Sequence, residues 1–479
     1  MTMRSWNRGL LALLFAALAL ACGTESRTGG SGEPNGQPAA DLMVLGGTVV
    51  TMDASRRVIP AGAVVVIDGE IVAVGTATEL SAAYVAETVV TPGDHDLVIP
   101  GLVNGHNHAA MSLLRGVADD LALMEWLENY IFPAEAALVD ENFVRVGTQL
   151  AALEMISGGT TTFADMYYFE DVVAEVVEES GLRGVLGETI VDFPAPDNAD
   201  NDEVFLYTER FLERWAGHPR VIAAVAPHAA FTNSPETLQR SATLAREYGA
   251  PLIIHVAETS DEVDQVRQQY GATPVEHLAS LGFLGPDVIA AHVIWVSERD
   301  IALLAEHSVG VIHNPESNMK LASGTMPLLA LRAAGVPVGL GTDGPASNND
   351  LDMFAAMTTA TLLQKHANAD PTALPAAETL ALATIEGARA LGLEEIIGSL
   401  EVGKRADLVV VSGEPPSQVP LYDPYSHLIY VTRGAEVRLT MVDGRILYRD
   451  GRFLTLDPER IKAAARALAQ RVREATGGK

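Results

Sequence analysis

Cysteine is all but missing from this chain. Cys22 is the only one among 479 residues, so no disulfide can close within a single copy. Basic residues are scarce as well. Lys and Arg total 32 against 62 Asp and Glu, a formal net charge of -30. A surface of that sign repels nucleic-acid phosphates and anionic lipid headgroups, which argues against both as partners. The acidic residues are dispersed, with no long acidic block. Lysine is the rarer base, and none precedes Lys320. The apolar run at residues 9–20 is too short to cross a bilayer comfortably.

What is present is globular in composition. Hydrophobic residues make up 48% of the chain and charged residues 20%. The length suits one large domain and a smaller one. The first 22 residues have the layout of a lipoprotein-type signal peptide: Arg4 and Arg8, then the apolar run, then Ala21-Cys22. Residues 18–22, Leu-Ala-Leu-Ala-Cys, are similar to a bacterial lipobox, although Ala19 stands where leucine is usual. An ordinary signal peptide is the alternative. Residues 23–40 are rich in Gly, Ser, Thr and Pro and read as a flexible linker. The expectation is an exported protein, lipid-anchored in a bacterial cell envelope. Gly23 after the cysteine, rather than Asp, favours the outer membrane. The lipid anchor would be its only membrane contact.

Short β-rich runs at residues 42–44, 48–52, 63–67 and 71–74 begin the mature chain, with Asp68-Gly69 as a hairpin signal. The texture returns at residues 407–411, 437–442 and 445–448, with Asp443-Gly444 between the last two. Residues 41–98 and 401–456 are therefore expected to build one small β-sandwich from both ends of the mature chain. Between them, residues 99–400 alternate apolar strand runs with amphipathic helical stretches. Strands are expected at 98–103, 160–164, 183–188, 221–226, 252–256, 288–292, 310–313 and 336–341. Helices such as 236–248, 273–281 and 298–307 fall between them. Eight βα units of this kind predict an α/β fold, a (β/α)8 TIM-type barrel. Residues 457–479 read as a covering C-terminal helix.

Polar residues gather at the ends of the barrel strands, where such folds place their active sites. His106 and His108 flank Asn107, and residues i and i+2 of a strand point the same way. His-x-His alone is a weak signal; at the end of an apolar strand it gains meaning. His255 ends Leu-Ile-Ile-His, and Glu258 follows three residues on. His292 ends Val-Ile-Ala-Ala-His, and Asp343 closes a glycine-rich run. Histidines and a carboxylate brought together from strand ends would make a metal site. Proton chemistry would fall to the groups beside it. No lysine is available on the first five strands to bridge two ions, so a single metal ion is expected.

The chain resembles the amidohydrolase superfamily, in its cytosine-deaminase and chlorohydrolase-like branch. It is most similar to 5-methylthioadenosine/S-adenosylhomocysteine deaminases. The resemblance covers nearly the whole mature chain. It rests on Pro100-Gly-Leu-Val-Asn-Gly-His-Asn-His108, Leu113-Leu-Arg-Gly-Val-Ala-Asp-Asp120 and His255-Val-Ala-Glu258. The tract from Asn314 to Gly324, the run from Gly341 to Asp350 and the run from Ile397 to Leu408 complete it. The resemblance implies that His106, His108, His255 and Asp343 ligate one divalent ion, zinc by preference, with Fe2+ as the alternative. It implies that His292 polarises the reacting centre. Glu258 would protonate the ring nitrogen beside the attacked carbon, and Asp343 would accept a proton from the attacking water. It places Trp126, Glu135 and His228 against the nucleoside. An arginine is usual at the end of the third barrel strand; Glu188 stands near that place here. A glutamate there would repel a carboxylate-bearing substrate.

The expected activity is metal-dependent hydrolytic deamination of an amino-substituted purine nucleoside or related N-heterocycle, an amidohydrolase reaction of the cyclic-amidine type. Two alternatives stay open. One is hydrolysis of another leaving group, such as a chloro- or alkylamino-triazine or a cyclic amide. The other is a catalytically silent exported binding protein. A homo-oligomer is compatible with everything above.

Overall fold

The computed structural model describes residues 37–476. The expected signal peptide, Cys22 and all but the end of the expected linker lie outside the described residues. The last two linker residues, Ala39 and Ala40, already belong to a strand, Ala39–Leu45. No helix among the described residues is long and apolar enough to cross a membrane.

Eight parallel strands follow one another in chain order around a barrel, from Leu102–Asn107 to Val338–Leu340. Their residues are buried on both faces, which is why they read as apolar runs without alternation. The first and eighth strands are not paired by a regular ladder. Their seam is closed by polar groups instead. Asp343 N–H donates to the His106 carbonyl at 3.0 Å, and Thr342 N–H donates to Asn104 Oδ1 at 3.0 Å. Asn104 Nδ2 returns a bond to Thr342 Oγ1 at 2.8 Å. This seam ties the backbone carrying His106 directly to that carrying Asp343.

The strand expected at 98–103 is two strands. Leu97–Pro100 joins a seven-stranded sheet, and Leu102–Asn107 starts the barrel. Gly101 makes the switch. A Cβ there would lie 2.1 Å from Thr161 Oγ1, so the chain can cross between sheets only without a side chain. The seven-stranded sheet combines both ends of the described chain: Leu408–Val411 pairs antiparallel with Leu97–Pro100. A four-stranded sheet takes strands only from the N-terminal part. Val44, Val64 and Ile71 of the small sheet pack with Val98, Leu408 and Met441 of the large one. Both expected Asp-Gly turns form, with positive φ at Asp68, Gly69, Asp443 and Gly444. The helix Pro458–Ala475 buries Ile461, Leu468 and Val472 in the same core cluster as Phe143 and Val144.

Candidate metal centre and cavity

The expected strand-end residues converge. His106 lies in the first strand and His108 one residue beyond it. His255 is the fourth residue of Leu252–Val256, and His292 ends Val288–His292. Asp343 lies three residues past Val338–Leu340. His106 Nε2 is 3.1 Å from His255 Nε2 and 3.5 Å from Asp343 Oδ1. His108 Nε2 is 3.2 Å from the same carboxylate oxygen. Three expected ligands, His106, His108 and Asp343, thus form one compact group. His255 joins it through His106, in a second group that includes His292.

The outer hydrogen bonds decide what the inner atoms can do. His108 Nδ1 donates to the Met166 carbonyl at 2.5 Å, and His255 Nδ1 donates to the His228 carbonyl at 2.9 Å. With Nδ1 engaged in this way, each Nε2 is the atom that can offer its lone pair to a cation. Those lone pairs, His106 Nε2 and Asp343 Oδ1 face one another in a buried space. Acceptors packed this closely need a shared positive charge, and a nitrogen and oxygen set of this kind suits zinc or iron. His106 Nδ1 is buried with no hydrogen-bond partner.

Asp343 is well braced. Its Oδ2 accepts the hydroxyls of Ser317 at 2.6 Å and Ser347 at 3.0 Å, and its Oδ1 accepts the Gly344 N–H at 2.7 Å. Burial pushes its carboxyl up, but bonds to His106 and His108 outweigh that and hold it well below the usual carboxylate range. Glu258 differs. Burial raises its carboxyl, and the nearby His292 offsets only part of that rise. Its Oε2 lies 3.7 Å from His292 Nε2, and its Oε1 accepts the Ser323 hydroxyl at 3.3 Å. His292 in turn is oriented by Asn318, whose Oδ1 accepts from Nδ1 at 2.8 Å.

Backbone conformation at the site is unusual. Ala257, His292 and Asp343 all have positive φ, at 51°, 73° and 63°. Such conformations cost L-residues roughly 1 kcal/mol or more and persist where surrounding bonds enforce them. At Ala257 the enforcement is visible. Glu262 accepts the N–H groups of both Ala257 and Glu258, at 2.8 and 2.7 Å. Thr259 caps the helix that carries Glu262. That helix start therefore fixes where Glu258 points.

A cavity of about 1040 Å3, open to solvent, leads to the metal centre. Trp126, Glu135 and His228 line it, as do Glu258, His292 and Asp343. Glu135 accepts the Tyr167 hydroxyl at 2.7 Å and is pushed by burial to about 7, with Tyr167 and His108 pulling the other way. His228 is driven down to about 3, chiefly by burial and also by the neighbouring histidines, so it stays neutral.

Glu188 is the exception. Expected near the substrate, it lies outside the cavity lining. Thr189 and Val191 line the cavity, and the alternation of the strand turns Glu188 the other way. Its side chain is fully buried and accepts the Glu170 N–H at 3.0 Å. Burial, with Asp197 beside it, raises its carboxyl well above the usual range. Glu188 braces a helix start.

Several functional neighbours were not singled out from the sequence. Ser317 and Asn318 lie inside the tract from Asn314 to Gly324 already noted as a family mark. Glu262 could have been found as the third residue after an N-cap threonine. Ser347 lies inside the run from Gly341 to Asp350, and Tyr167 carries no comparable signal.

A parallel barrel with a nitrogen- and oxygen-lined cation centre at its C-terminal strand ends defines a metal-dependent hydrolase-type site. Residues 97–447 match the Amidohydrolase family, and the chain belongs to that family. It is 48% identical over 438 residues to a 5-methylthioadenosine/S-adenosylhomocysteine deaminase of Syntrophobacter fumaroxidans, covering 91% of this chain and all of that protein. It is 46% identical over 433 residues to a 5'-deoxyadenosine deaminase of Methanosarcina mazei, covering 90% and 98%. Among solved structures, an adenosine deaminase from Xanthomonas campestris with bound zinc superposes with a TM-score of 0.90. That structure is 40% identical, and the match covers 91% of this chain and all of that one.

Proposed function

We propose that this protein is a metal-dependent hydrolytic deaminase that releases ammonia from an adenosine-type nucleoside. The observation that carries the reading is the convergence of His106, His108, His255 and Asp343 beside a cavity that His108, His255 and Asp343 help to line. Glu258 and His292 line it as well. The names of the deaminase relatives support the substrate class. These four residues would hold one zinc ion, as the zinc-bound relative suggests. When bound, such an ion lowers the pKa of water and polarises the attacked centre.

The chain's own groups account for the protons. Asp343, beside His106 and His108, is the carboxylate that takes a proton from the attacking water. The Ser317 and Ser347 hydroxyls stabilise its charge beforehand. Glu258, whose carboxyl burial raises, is the group that gives a proton to the ring nitrogen beside the amine-bearing carbon. Water's oxygen adds to that carbon, and the amino group, once protonated, leaves as ammonia as the C–N bond breaks. His292, held by Asn318, steadies the oxygen at the attacked carbon. Glu135 and His228 stand where a ribose would be gripped, and Trp126 forms the adjoining wall.

Ammonia detection over a panel of adenosine-, guanine-, cytosine-, pterin- and triazine-type amines tests the reading. Release from adenosines above all others is expected. Turnover confined to triazines would overturn it, and no turnover with a fully metal-loaded protein would favour a silent binding protein.

We also propose export and lipid anchoring at Cys22, supported by Arg4, Arg8 and the apolar run that follows. Cys22→Ser should move the protein from the membrane fraction to the soluble one. Equal partitioning of the two forms would remove the anchor.

A further inference from the structure

Resting on the deaminase reading, we infer that the site selects adenosines whose 5' substituent is uncharged or cationic, and that it discriminates against a 5' substituent bearing a carboxylate. Among the described residues no lysine or arginine lines the cavity. Its acidic lining is Glu135, Glu258, Asp261, Glu262 and Asp343. The purine amine must lie against the metal centre, so the far end of the nucleoside is left with the outer wall. One side of the cavity is apolar, with Leu127, Phe132, Phe193 and Phe231, and Thr259, Asp261 and Gln265 add polar but no basic groups to the lining. The rings of Phe132 and Phe193 lie 5.9 Å apart, and Phe231 sits edge-on to His228 at 6.1 Å.

The cation nearest in sequence does not change this. Lys320 precedes the lining residue Leu321, but its ammonium is engaged by Asp119 Oδ1 at 2.6 Å and by Asn349. A carboxylate carried into the wall would lose hydration and meet aromatic faces and acids, with no counter-ion to replace the water. A methylthio or deoxy substituent loses nothing there and gains contact area. The chain's similarity to deaminases named for two different substrates is thereby resolved toward the neutral one. The discrimination comes from the cavity wall, not from Glu188.

Steady-state kinetics of the metal-loaded full chain test this with four substrates: 5'-deoxyadenosine, 5'-methylthioadenosine, S-adenosylhomocysteine and its methyl ester. The expected kcat/KM for 5'-methylthioadenosine exceeds that for S-adenosylhomocysteine by about a hundredfold or more. The ester, equal in reach but without the carboxylate charge, should recover about tenfold or more over the acid. S-adenosylhomocysteine within about threefold of 5'-methylthioadenosine would overturn the inference and leave the deaminase reading standing. An ester no better than the acid would overturn it too, because size rather than charge would then decide. Failure of all four substrates would overturn both the inference and the reading beneath it.

Discussion

Two arcs of the same barrel rim put buried acids to opposite uses. On one arc, the ends of the first, fifth, sixth and eighth strands turn His106, His255, Glu258, His292 and Asp343 toward the cavity. On the other, Asp165, Glu170 and Glu188 lie fully buried near Asp197, away from the cavity lining. Histidines face the first set, and its key carboxylate, Asp343, is held ionised. In the second, burial raises Glu170 and Glu188 well above the usual range, with neighbouring acids adding to it, and burial lifts Asp165 to about 6 against the pull of the Ala109 N–H and His108. Residue type alone does not make a catalytic group. Which side of the strand it occupies, and what faces it, decides whether a carboxylate serves as a base, an acid or a brace.

The contrast breaks most sharply if the first arc is emptied. Removing the metal with a chelator should abolish ammonia release by about a thousandfold or more, and added zinc should restore it. Activity that survives chelation would detach the chemistry from the histidines. Next in size, Glu258→Gln should cut kcat by about a hundredfold or more while metal content stays normal. An unchanged kcat would strip Glu258 of its role as proton donor. Glu262→Gln tests the support behind it, because one of its two oxygens would become an NH2 facing an N–H. A kcat lower by about tenfold with KM little changed is expected from a displaced Glu258. A change in KM alone would place Glu262 in substrate binding.

The smallest effect belongs to the other arc. Glu188→Gln should leave turnover within about twofold, since the side chain does not reach the cavity. Its signature is in stability. Burial holds the folded Glu188 carboxyl well above 4.5, the pH near which the unfolded chain ionises it. The folded state then binds more protons, so this contribution is complete below about 4.5 and drains away as pH rises toward the folded value. Melting temperature should therefore fall with rising pH less steeply in Glu188→Gln than in the native chain. Parallel curves would show that Glu188 is already ionised in the fold.

The first arc was legible in the sequence because parallel strands buried on both faces read as apolar runs, and a histidine or aspartate closing such a run stands out. Glu188 was misplaced for the same reason. A strand buried on both faces shows no alternation, so nothing local distinguishes Glu188 from Thr189, one residue away and facing the cavity. The division of residues 98–103 between two sheets hinged on Gly101, whose need for empty space comes from Thr161, far along the chain. Ser317, Asn318 and Ser347 carry no periodic signal, and they reach the centre only through the folds of their loops. The aromatic wall comes from three separate segments, at Phe132, Phe193 and Phe231, and exists only in the assembled barrel.

The proposed chemistry depends on one ion held at one point of the rim. Elemental analysis of the purified, zinc-supplied protein tests that most directly. It should find close to one zinc per chain. Two per chain would contradict a mononuclear centre, and less than about half an equivalent, with no recovery on adding zinc or iron, would contradict a metal centre altogether.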